Sequence, residues 1–450
     1  MNISRGWRWT LVFALAVVAG SLSAQHRESV TVEVVDVPVY VSREGEPVRD
    51  LTRDDFELYV NGKRREIEYF DVSGDAAAPA ARDARLRERR LFVLLFDLAF
   101  TPTYNAARAH KAAVKLIDEA GPLDYFAIAT FAPADGLRYT LPFTNDKKAL
   151  RTAMRQFTSR RTYDPLSLVP APVMRADRVP NEPVDPEDEE EPQADWTDAH
   201  SQSVTSDPSK EAMITPRGAR DAELRSRGND VRGLLAGLGA LATNLTRLEG
   251  QKHVLLMSEG FDATVLNDGR AMLKQAPGLY MQKILEQVFH AYHAAGVFLH
   301  TLDPAGIRDV REGPTAASLS ILASGTGGEA VNDRNDLHAA LSDLTRAYSH
   351  GYVLGFRPAG ARKGENRIVV KVKRDGVSVT HRRGFSTEAA SNAMSGLYLA
   401  DIVLNDVPQT GLVPVMEINR GAVRARIPMR ELAAQLGDEG HAELLVYLFD

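Results

Sequence analysis

The first feature of this sequence that could do chemistry is a carboxylate directly after a buried strand. Residues 91–96 form an unbroken apolar run, and the run ends in Asp97. A short apolar run without alternation is typical of a strand that is buried on both faces, as in a parallel sheet. Ligands of open α/β sheets bind at the carboxyl ends of the strands. The sequence therefore places Asp97 at a potential ligand-binding edge.

Two further patterns resemble chemical motifs, but both favour a structural role. His290 and His293 lie three residues apart on a predicted helix, with Glu286 one turn earlier. Their order is not His-Glu-x-x-His, and no third metal ligand is indicated. Residues 325–328, Gly-Thr-Gly-Gly, follow a predicted helix and lack the Gly-Lys-Ser/Thr ending of a phosphate-binding loop. A Gly-x-Ser-x-Gly elbow is also absent from the sequence.

Alternating strands and helices would position Asp97. The predicted strands cover residues 91–96, 124–131, 137–143, 253–257, 297–302, 329–331 and 352–356. The predicted helices cover residues 104–120, 146–157, 230–248, 280–295, 318–324 and 337–349. This alternation predicts an α/β fold with a Rossmann-like, doubly wound and mostly parallel sheet.

A long polar segment interrupts the alternation. Residues 159–229 are rich in Pro, Asp, Glu and Ser, and residues 182–191 contain seven carboxylates and no basic residue. Such a segment buries too little apolar surface to offset the entropy of folding. We therefore predict a disordered acidic insertion within one α/β domain that spans residues 90–357.

Small β units are predicted on both sides of this domain. Residues 28–73 contain a valine-rich alternating run and an Asn-Gly hairpin, and residues 358–386 contain an Asp-Gly hairpin. Residues 397–450 are predicted to form a C-terminal β-rich domain, with a first strand over 398–404. Because the sequence stops within an apolar strand, we expect this domain to continue beyond residue 450.

The beginning of the chain predicts export from the cytoplasm. Residues 1–24 combine Arg5 and Arg8, a short apolar run and small residues at the end, as in a signal peptide; an uncleaved anchor is the alternative. No later segment is apolar and long enough to span a membrane. The chain has 450 residues, no cysteine and a net charge of −6, which excludes thiol chemistry and gives no support for nucleic-acid binding. We predict a secreted or periplasmic protein of the cell envelope.

The combined pattern resembles a von Willebrand factor A (VWFA)-related protein of the secreted bacterial type. The resemblance covers residues 28–386. It is carried by the sequences LTRDDFELYVNGKRREI (51–67), RRLFVLLFD (89–97), LASGTGG (322–328), YVLGFRP (352–358) and RRGF (382–385). It implies a Rossmann-like fold and protein binding without enzymatic activity.

Many members of this family hold a divalent cation in a metal-ion-dependent adhesion site (MIDAS) at the top of the sheet. The first loop of that site normally reads Asp-x-Ser-x-Ser. The matching positions here are Asp97, Ala99 and Thr101. The resemblance therefore keeps the aspartate, replaces one serine by threonine, and leaves one ligand position without an oxygen.

The other two MIDAS loops also depart from the family pattern. Where the second loop normally has a threonine, Asn229 or Asp230 offers an oxygen. Where the third loop has an aspartate, this chain has Glu259. The resemblance implies a degenerate Mg²⁺ or Mn²⁺ site at Asp97, Thr101 and Glu259. The alternative is that Asp97 caps the following helix or binds the loop backbone, without a metal.

These features favour a non-enzymatic module that binds another protein. On the family resemblance, a carboxylate of the partner would complete the cation shell. Two alternatives stay open, namely a metal-free structural scaffold of the envelope and a hydrolase at the sheet edge. The hydrolase lacks a recognisable set of nucleophile, base and orienting residue.

Overall fold

The computed structural model describes residues 34–74, 86–155, 216–267, 278–307, 314–387, 395–405, 407, 415–419 and 422–426. The described residues from Val35 onward form one compact unit. The predicted signal segment 1–24 and residues 159–215 of the predicted insertion lie outside the described residues. No helix in the described part of the chain is both long and apolar enough to cross a membrane.

Strands and helices alternate from residue 90 to residue 347, as the sequence predicts. The strands are β1 (Val35–Arg43), β2 (Glu46–Pro47), β3 (Phe56–Val60), β4 (Lys63–Arg65), β5 (Tyr69–Ser73), β6 (Arg90–Asp97), β7 (Asp124–Ala132), β8 (Gly136–Thr144), β9 (Gln251–Met257), β10 (Val297–Leu302), β11 (Ala330–Val331), β12 (Gly351–Phe356), β13 (Glu365–Val372), β14 (Ser378–His381), β15 (Gly384–Ser386), β16 (Val415–Asn419) and β17 (Ala422–Arg426). The helices are α1 (Thr103–Glu119), α2 (Lys147–Arg155), α3 (Pro216–Leu245), α4 (Thr264–Asn267), α5 (Gly278–Ala295), α6 (Pro314–Thr326), α7 (Leu337–Ala347) and α8 (Gly396–Leu404).

A six-stranded sheet forms the centre of the α/β domain. Its strand order is β11-β10-β9-β6-β7-β8, and all pairs are parallel except the edge hairpin β7–β8. Counted from its first strand, this is the doubly wound order 3-2-1-4-5-6. The order reverses between β6 and β9, so a crevice opens at the carboxyl ends of these two strands. The predicted fold class is confirmed.

Helices cover both faces of this sheet, and β6 shows why its sequence is apolar throughout. Leu91, Val93 and Leu95 lie in a core that includes buried side chains of α3 and α5. The alternating residues, such as Phe92 and Leu94, lie in a second core with buried side chains of α1 and α7. A strand that is buried on both faces has no position for a polar side chain until it ends, at Asp97.

The predicted flanking units 28–73 and 358–386 combine into one antiparallel structure. One sheet has the order β14-β1-β12-β5, and the other has the order β15-β13-β3-β4. Both sheets contribute to a single core, whose buried side chains include Val39, Leu58, Tyr352 and Ile368. Each flank supplies too few apolar residues for a core of its own, and together they supply one.

Strand β12 departs from the predicted order of strands. The sequence predicts residues 352–356 in the α/β sheet, but β12 pairs antiparallel with β1 and β5. The α/β sheet instead ends at the two-residue strand β11. An apolar strand is equally suited to either sheet, and its partners lie almost the full domain away in sequence. The local sequence pattern therefore does not indicate to which sheet β12 belongs.

The region after residue 395 begins with a helix rather than the predicted strand 398–404. Ser395 caps α8 by accepting a hydrogen bond from the N–H of Tyr398. The helix contacts β8 and α3, and Asp401 forms a bidentate ion pair with Arg89, with N–O distances of 2.8 and 2.5 Å. Both side chains are only 1% exposed. The first residues of the predicted C-terminal β-rich region thus belong to the α/β domain, because a serine cap and a buried ion pair outweigh β propensity.

Later in the same region, β16 and β17 form a two-stranded antiparallel sheet.

The end of the predicted disordered insertion 159–229 is helical, because α3 begins at Pro216. Proline suits the first turn of a helix, and the following residues include the good helix formers Ala, Arg, Glu and Leu. The high polarity of this stretch indicated disorder more strongly than its helix propensity indicated structure.

Candidate functional site

Asp97 lies at the crevice where the strand order reverses, and its side chain accepts three local hydrogen bonds. Its Oδ1 accepts from the N–H groups of Ala99 and Phe100, at 2.9 and 3.2 Å. Its Oδ2 accepts from the hydroxyl of Ser258, at 2.5 Å. The residue is 1% exposed. Asp97 therefore shapes the loop after β6 and ties that loop to the loop after β9.

Ser258 is a site residue that the sequence analysis missed. Its hydroxyl donates to Asp97 and accepts from the N–H of Gly260, at 2.9 Å. Gly260 has φ +76°, and a Cβ there would lie 2.4 Å from the carbonyl oxygen of Thr315. A glycine is needed because both the backbone conformation and the close approach exclude a side chain. The small residue after β9 was the available signal for this serine–carboxylate link.

Thr101 and Glu259 add a second link between the same two loops. The buried Thr101 hydroxyl accepts from the N–H of Glu259, at 3.3 Å. Oε1 of Glu259 accepts from the side-chain amide of Asn105 in α1, at 2.7 Å. The structure thus brings Asp97, Thr101 and Glu259 to one edge, as the sequence predicted. Asn105 is a further contributor that the sequence analysis did not single out.

Burial controls the ionisation of Asp97. Removal from water raises the pKa of Asp97 to about 6, and the hydrogen bonds from Ser258, Ala99 and Phe100 limit this rise. The three donors favour the carboxylate form, while the apolar surroundings favour the neutral acid. The charge of Asp97 is therefore sensitive to mildly acidic pH.

Asn229 and Asp230 occupy a different setting from the one predicted for them. They lie within α3 rather than in a loop, and Asn229 accepts a hydrogen bond from Arg232 on the same helix. A Cβ on Gly233, one turn later, would lie 3.4 Å from the ring of Phe131 at the end of β7. Asp230 is half-buried, and this burial raises its pKa. The hydrogen bonds described above between the loops after β6 and β9 involve neither residue.

The loop after β10 completes this edge of the sheet. Oδ1 of Asp303 accepts from the N–H of Ala305, at 2.9 Å, in the turn that its Asp-Pro sequence indicates. Arg108 of α1 donates to the carbonyl oxygens of Pro304 and Ala305, at 2.7 and 2.9 Å. The same guanidinium donates to the carbonyl oxygen of Asn335, at 3.0 Å. Arg108 thus attaches the start of α1 to the loop after β10.

Two large apolar side chains stand exposed on this fixed framework. Tyr104 in the first turn of α1 is 76% exposed, and Ile307 in the loop after β10 is 62% exposed. Tyr104 precedes Asn105, the partner of Glu259, and Arg108 one turn later holds the loop that leads to Ile307. We name Tyr104 and Ile307 the apolar rim.

The oxygen atoms at this edge do not fit a resident divalent cation. The expected ligands Asp97, Thr101 and Glu259 direct oxygens to hydrogen-bond donors of the protein, and Ala99 supplies no oxygen. Mg²⁺ requires oxygens that converge near octahedral geometry. Among the described residues, no group of three or more His, Cys, Asp or Glu side chains is arranged to hold a metal ion. The site is instead a hydrogen-bonded junction between loops.

The histidine and glycine patterns of the sequence have structural roles. His293 places Nδ1 2.6 Å from Oε1 of Glu365 and Nε2 2.9 Å from the carbonyl oxygen of Gly325, which joins α5 to β13 and α6. Nε2 of His290 lies 3.6 Å from the same carboxylate. A Cβ on Gly328 would lie 2.0 Å from the carbonyl oxygen of Leu299, so the glycine-rich turn packs against β10.

Comparisons with known proteins concern the fold alone. No protein-family model and no curated protein matches the chain. A von Willebrand factor type A protein from Catenulispora acidiphila has a TM-score of 0.32 and 9% identity, over 80% of this chain and 78% of that chain. BatB from Bacteroides thetaiotaomicron has a TM-score of 0.28 and 12% identity, over 57% and 98% of the respective chains.

A third solved structure is proximal thread matrix protein 1 from the mussel byssus, with a zinc-occupied MIDAS motif. Its TM-score is 0.27 at 12% identity, over 59% of this chain and 46% of that chain. These low scores carry no functional information about the present chain. The strand order and helix layers described above are a doubly wound α/β fold, which is the fold that the VWFA resemblance of the sequence implies.

Proposed function

We propose that this chain is a secreted or envelope protein-binding module without enzymatic activity. The observation that carries the proposal is the apolar rim, in which Tyr104 and Ile307 are 76% and 62% exposed on a framework fixed by hydrogen bonds. The extracytoplasmic location rests on the signal-like residues 1–24 of the sequence.

The position of the apolar rim supports binding to a macromolecule. Exposed aromatic and aliphatic side chains on rigid elements act as anchors in protein interfaces, because little conformational entropy is lost when they are covered. Here α1 holds Tyr104, and Arg108 connects α1 to the loop that carries Ile307. The crevice at the reversal of strand order is also the edge at which this architecture binds ligands.

Hydrogen bonds take the organising role that a cation has in a MIDAS. Ser258 joins Asp97 across the two central loops, and Thr101 accepts from the backbone of Glu259. We propose that these links keep the binding surface in shape without Mg²⁺ or Mn²⁺. Binding of the partner should then be insensitive to chelators, as in the metal-free alternative that the sequence left open.

Burial of the candidate nucleophile argues against hydrolysis at this edge. Ser258 and Asp97 form the only hydroxyl–carboxylate pair among the site contacts described above, and each residue is 1% exposed. A nucleophile must reach the substrate atom that it attacks. Since Ser258 also accepts from the backbone of Gly260, its lone pairs are directed into the loop.

Affinity capture from an envelope extract of the producing organism tests this function. The immobilised wild-type chain should retain a protein equally well in Mg²⁺ and in EDTA. The double variant Tyr104→Ala/Ile307→Ala should lose it. The double variant Tyr69→Ala/Val72→Ala is the matched control, because these two side chains are 49% and 46% exposed on edge strand β5. Equal capture by wild type and by the rim variant would refute the proposal.

A further inference from the structure

A cleft in the β structure contains an arginine whose Nε has no partner among the described residues. The cleft has a volume of about 420 Å³, which is within the usual range of small-molecule sites. It opens where β4 leaves its sheet. Strand β4 pairs with residues 58–60 of β3 and ends at Arg65, after which the chain turns so that Ile67 enters the core. Residues 56–58 of β3 line the cleft that this departure leaves.

The side chain of Arg65 lines this cleft. Its Nε is buried and, among the described residues, meets no hydrogen-bond acceptor. A buried N–H group without an acceptor costs free energy, and in folded proteins such a group points to a bound water, ion or ligand. Arg65 as a whole is only half-buried. A ligand in the cleft can therefore approach its guanidinium group.

Two of the three carboxylates that line the cleft pair with other arginines. Oε1 of Glu57 lies 3.6 Å from the guanidinium of Arg64. Oε1 of Glu66 lies 3.7 Å from the guanidinium of Arg53. The third lining carboxylate, Asp54, is exposed to solvent. Because neither ion pair includes the guanidinium at the end of β4, its charge is open to an anion from solution.

Lys373 supplies a second cation to the lining, from the other side of β3. It follows β13, and the strand order places β3 between β13 and β4. Nζ of Lys373 donates to the carbonyl oxygen of Asp54, at 2.8 Å. An ammonium group has three donors, so this contact uses one of them. A guanidinium and an ammonium in one cleft suit a carboxylate or phosphate group, because such oxyanions accept several charge-assisted hydrogen bonds.

We propose that this cleft binds a small organic anion, whose carboxylate or phosphate group pairs with Arg65 and Lys373. The inference goes beyond the proposed protein-binding function, because the cleft lies in the β structure and shares no residue with the apolar rim. Lys371 provides a matched control. It is an exposed lysine of β13, but its ammonium group lies 5.3 Å from the centre of the Tyr59 ring and it does not line the cleft.

The Nε–H signals in the NMR spectrum of the full chain, labelled with isotopic nitrogen in its arginines, test the proposal. The signal of Arg65 is identified by its absence from the variant Arg65→Lys. Sodium phosphate and sodium acetate are added in separate titrations, and sodium chloride keeps the ionic strength constant. We expect a saturable shift of the Arg65 signal with at least one of the two anions. The signal of Arg334, whose guanidinium pairs with Asp343 in the α/β domain, should show no saturable shift.

Two lysine variants show whether the anion occupies the cleft. Lys373→Ala should raise the half-saturating anion concentration about threefold, the size expected for an exposed ion pair. Lys371→Ala should leave that concentration unchanged, and equal effects of the two variants would refute the assigned site. Saturation with acetate alone would identify a carboxylate ligand, and saturation with phosphate alone would identify a phosphate ligand. Absence of saturation with both anions, or the same response from Arg65 and Arg334, would overturn the proposal.

Discussion

Two histidines buried between the central sheet and the β structure should make the protein unstable at mildly acidic pH. Nδ1 of His253 lies 3.2 Å from Nε2 of His300, and both residues are 0% exposed. Nδ1 of His300 accepts from the N–H of Glu329, at 3.2 Å. Nε2 of His300 must then carry the hydrogen and donate it to Nδ1 of His253. The geometry therefore requires both rings to be neutral.

The surroundings of this pair oppose protonation. The ring of His253 stacks with Phe92 and Phe298, at centroid distances of 5.2 and 5.6 Å. Tyr40, which enters this core from β1, lies 5.8 Å from the same ring. Burial is the main cause that lowers the pKa of His253 well below its usual value, and proximity to His300 lowers it further. Burial lowers the pKa of His300 to about 3.

The sign and size of the pH effect follow from these shifts. The unfolded chain binds protons at histidine as the pH falls below 6.5, whereas the folded pair does not. The stability contributed by the neutral pair is therefore present above pH 6.5 and is lost as the pH falls toward 3. Each pH unit costs about 1.4 kcal/mol per histidine, so His300 alone costs about 2 kcal/mol at pH 5.

Urea unfolding between pH 7.5 and pH 5 measures this loss. Carboxylates add an acid-dependent term of their own, so the decisive quantity is the difference in slope between wild type and the variant His253→Phe/His300→Phe. Phenylalanine preserves the stacking of His253 and removes both titrating groups. The variant should lose less stability on acidification than the wild type does. Equal slopes for wild type and the double variant would show that the pair is not the acid-sensitive element.

Two substitutions test the packing of the α/β domain. Asp401→Asn leaves the buried guanidinium of Arg89 without its charged partner, and removal of one member of such a pair costs about 3–5 kcal/mol in the free energy of unfolding; a change below 1 kcal/mol would argue against docking of α8. Gly260→Ala forces a side chain into φ +76° at 2.4 Å from the carbonyl oxygen of Thr315, and should cost at least about 1–3 kcal/mol. Gly136→Ala is the control, since it has a similar φ of +68° but open space around it, and equal losses would refute the steric argument.

The sequence predicts the α/β sheet well because its signals are local. Residues 91–96 are apolar at every position, and β6 lies in the middle of the sheet with both faces covered. Strand and helix alternation predicts a doubly wound sheet, and Asp97 at the carboxyl end of its first strand. The expectation that Thr101 and Glu259 lie at the same edge rests on the family resemblance, and the structure brings all three residues together.

The remaining features depend on partners that are distant in sequence. Strand β12 pairs with β1, more than 300 residues earlier, and no local pattern encodes that choice. Helix α8 is fixed by a buried ion pair whose members, Arg89 and Asp401, are equally far apart. Ser258 is recognisable only when its hydroxyl is seen 2.5 Å from Asp97. Whether a cation binds at the edge stays a prediction of the family resemblance, and the hydrogen bonds of the structure argue against it.

The central claim is that hydrogen bonds, rather than a cation, organise the binding edge. Its most direct test is a crystal of the protein soaked in millimolar Mn²⁺ and measured for anomalous scattering. We predict no anomalous peak between Asp97, Thr101 and Glu259, with Ser258 still bonded to Asp97. A peak coordinated by these three residues would contradict the account and would favour a carboxylate-bearing partner.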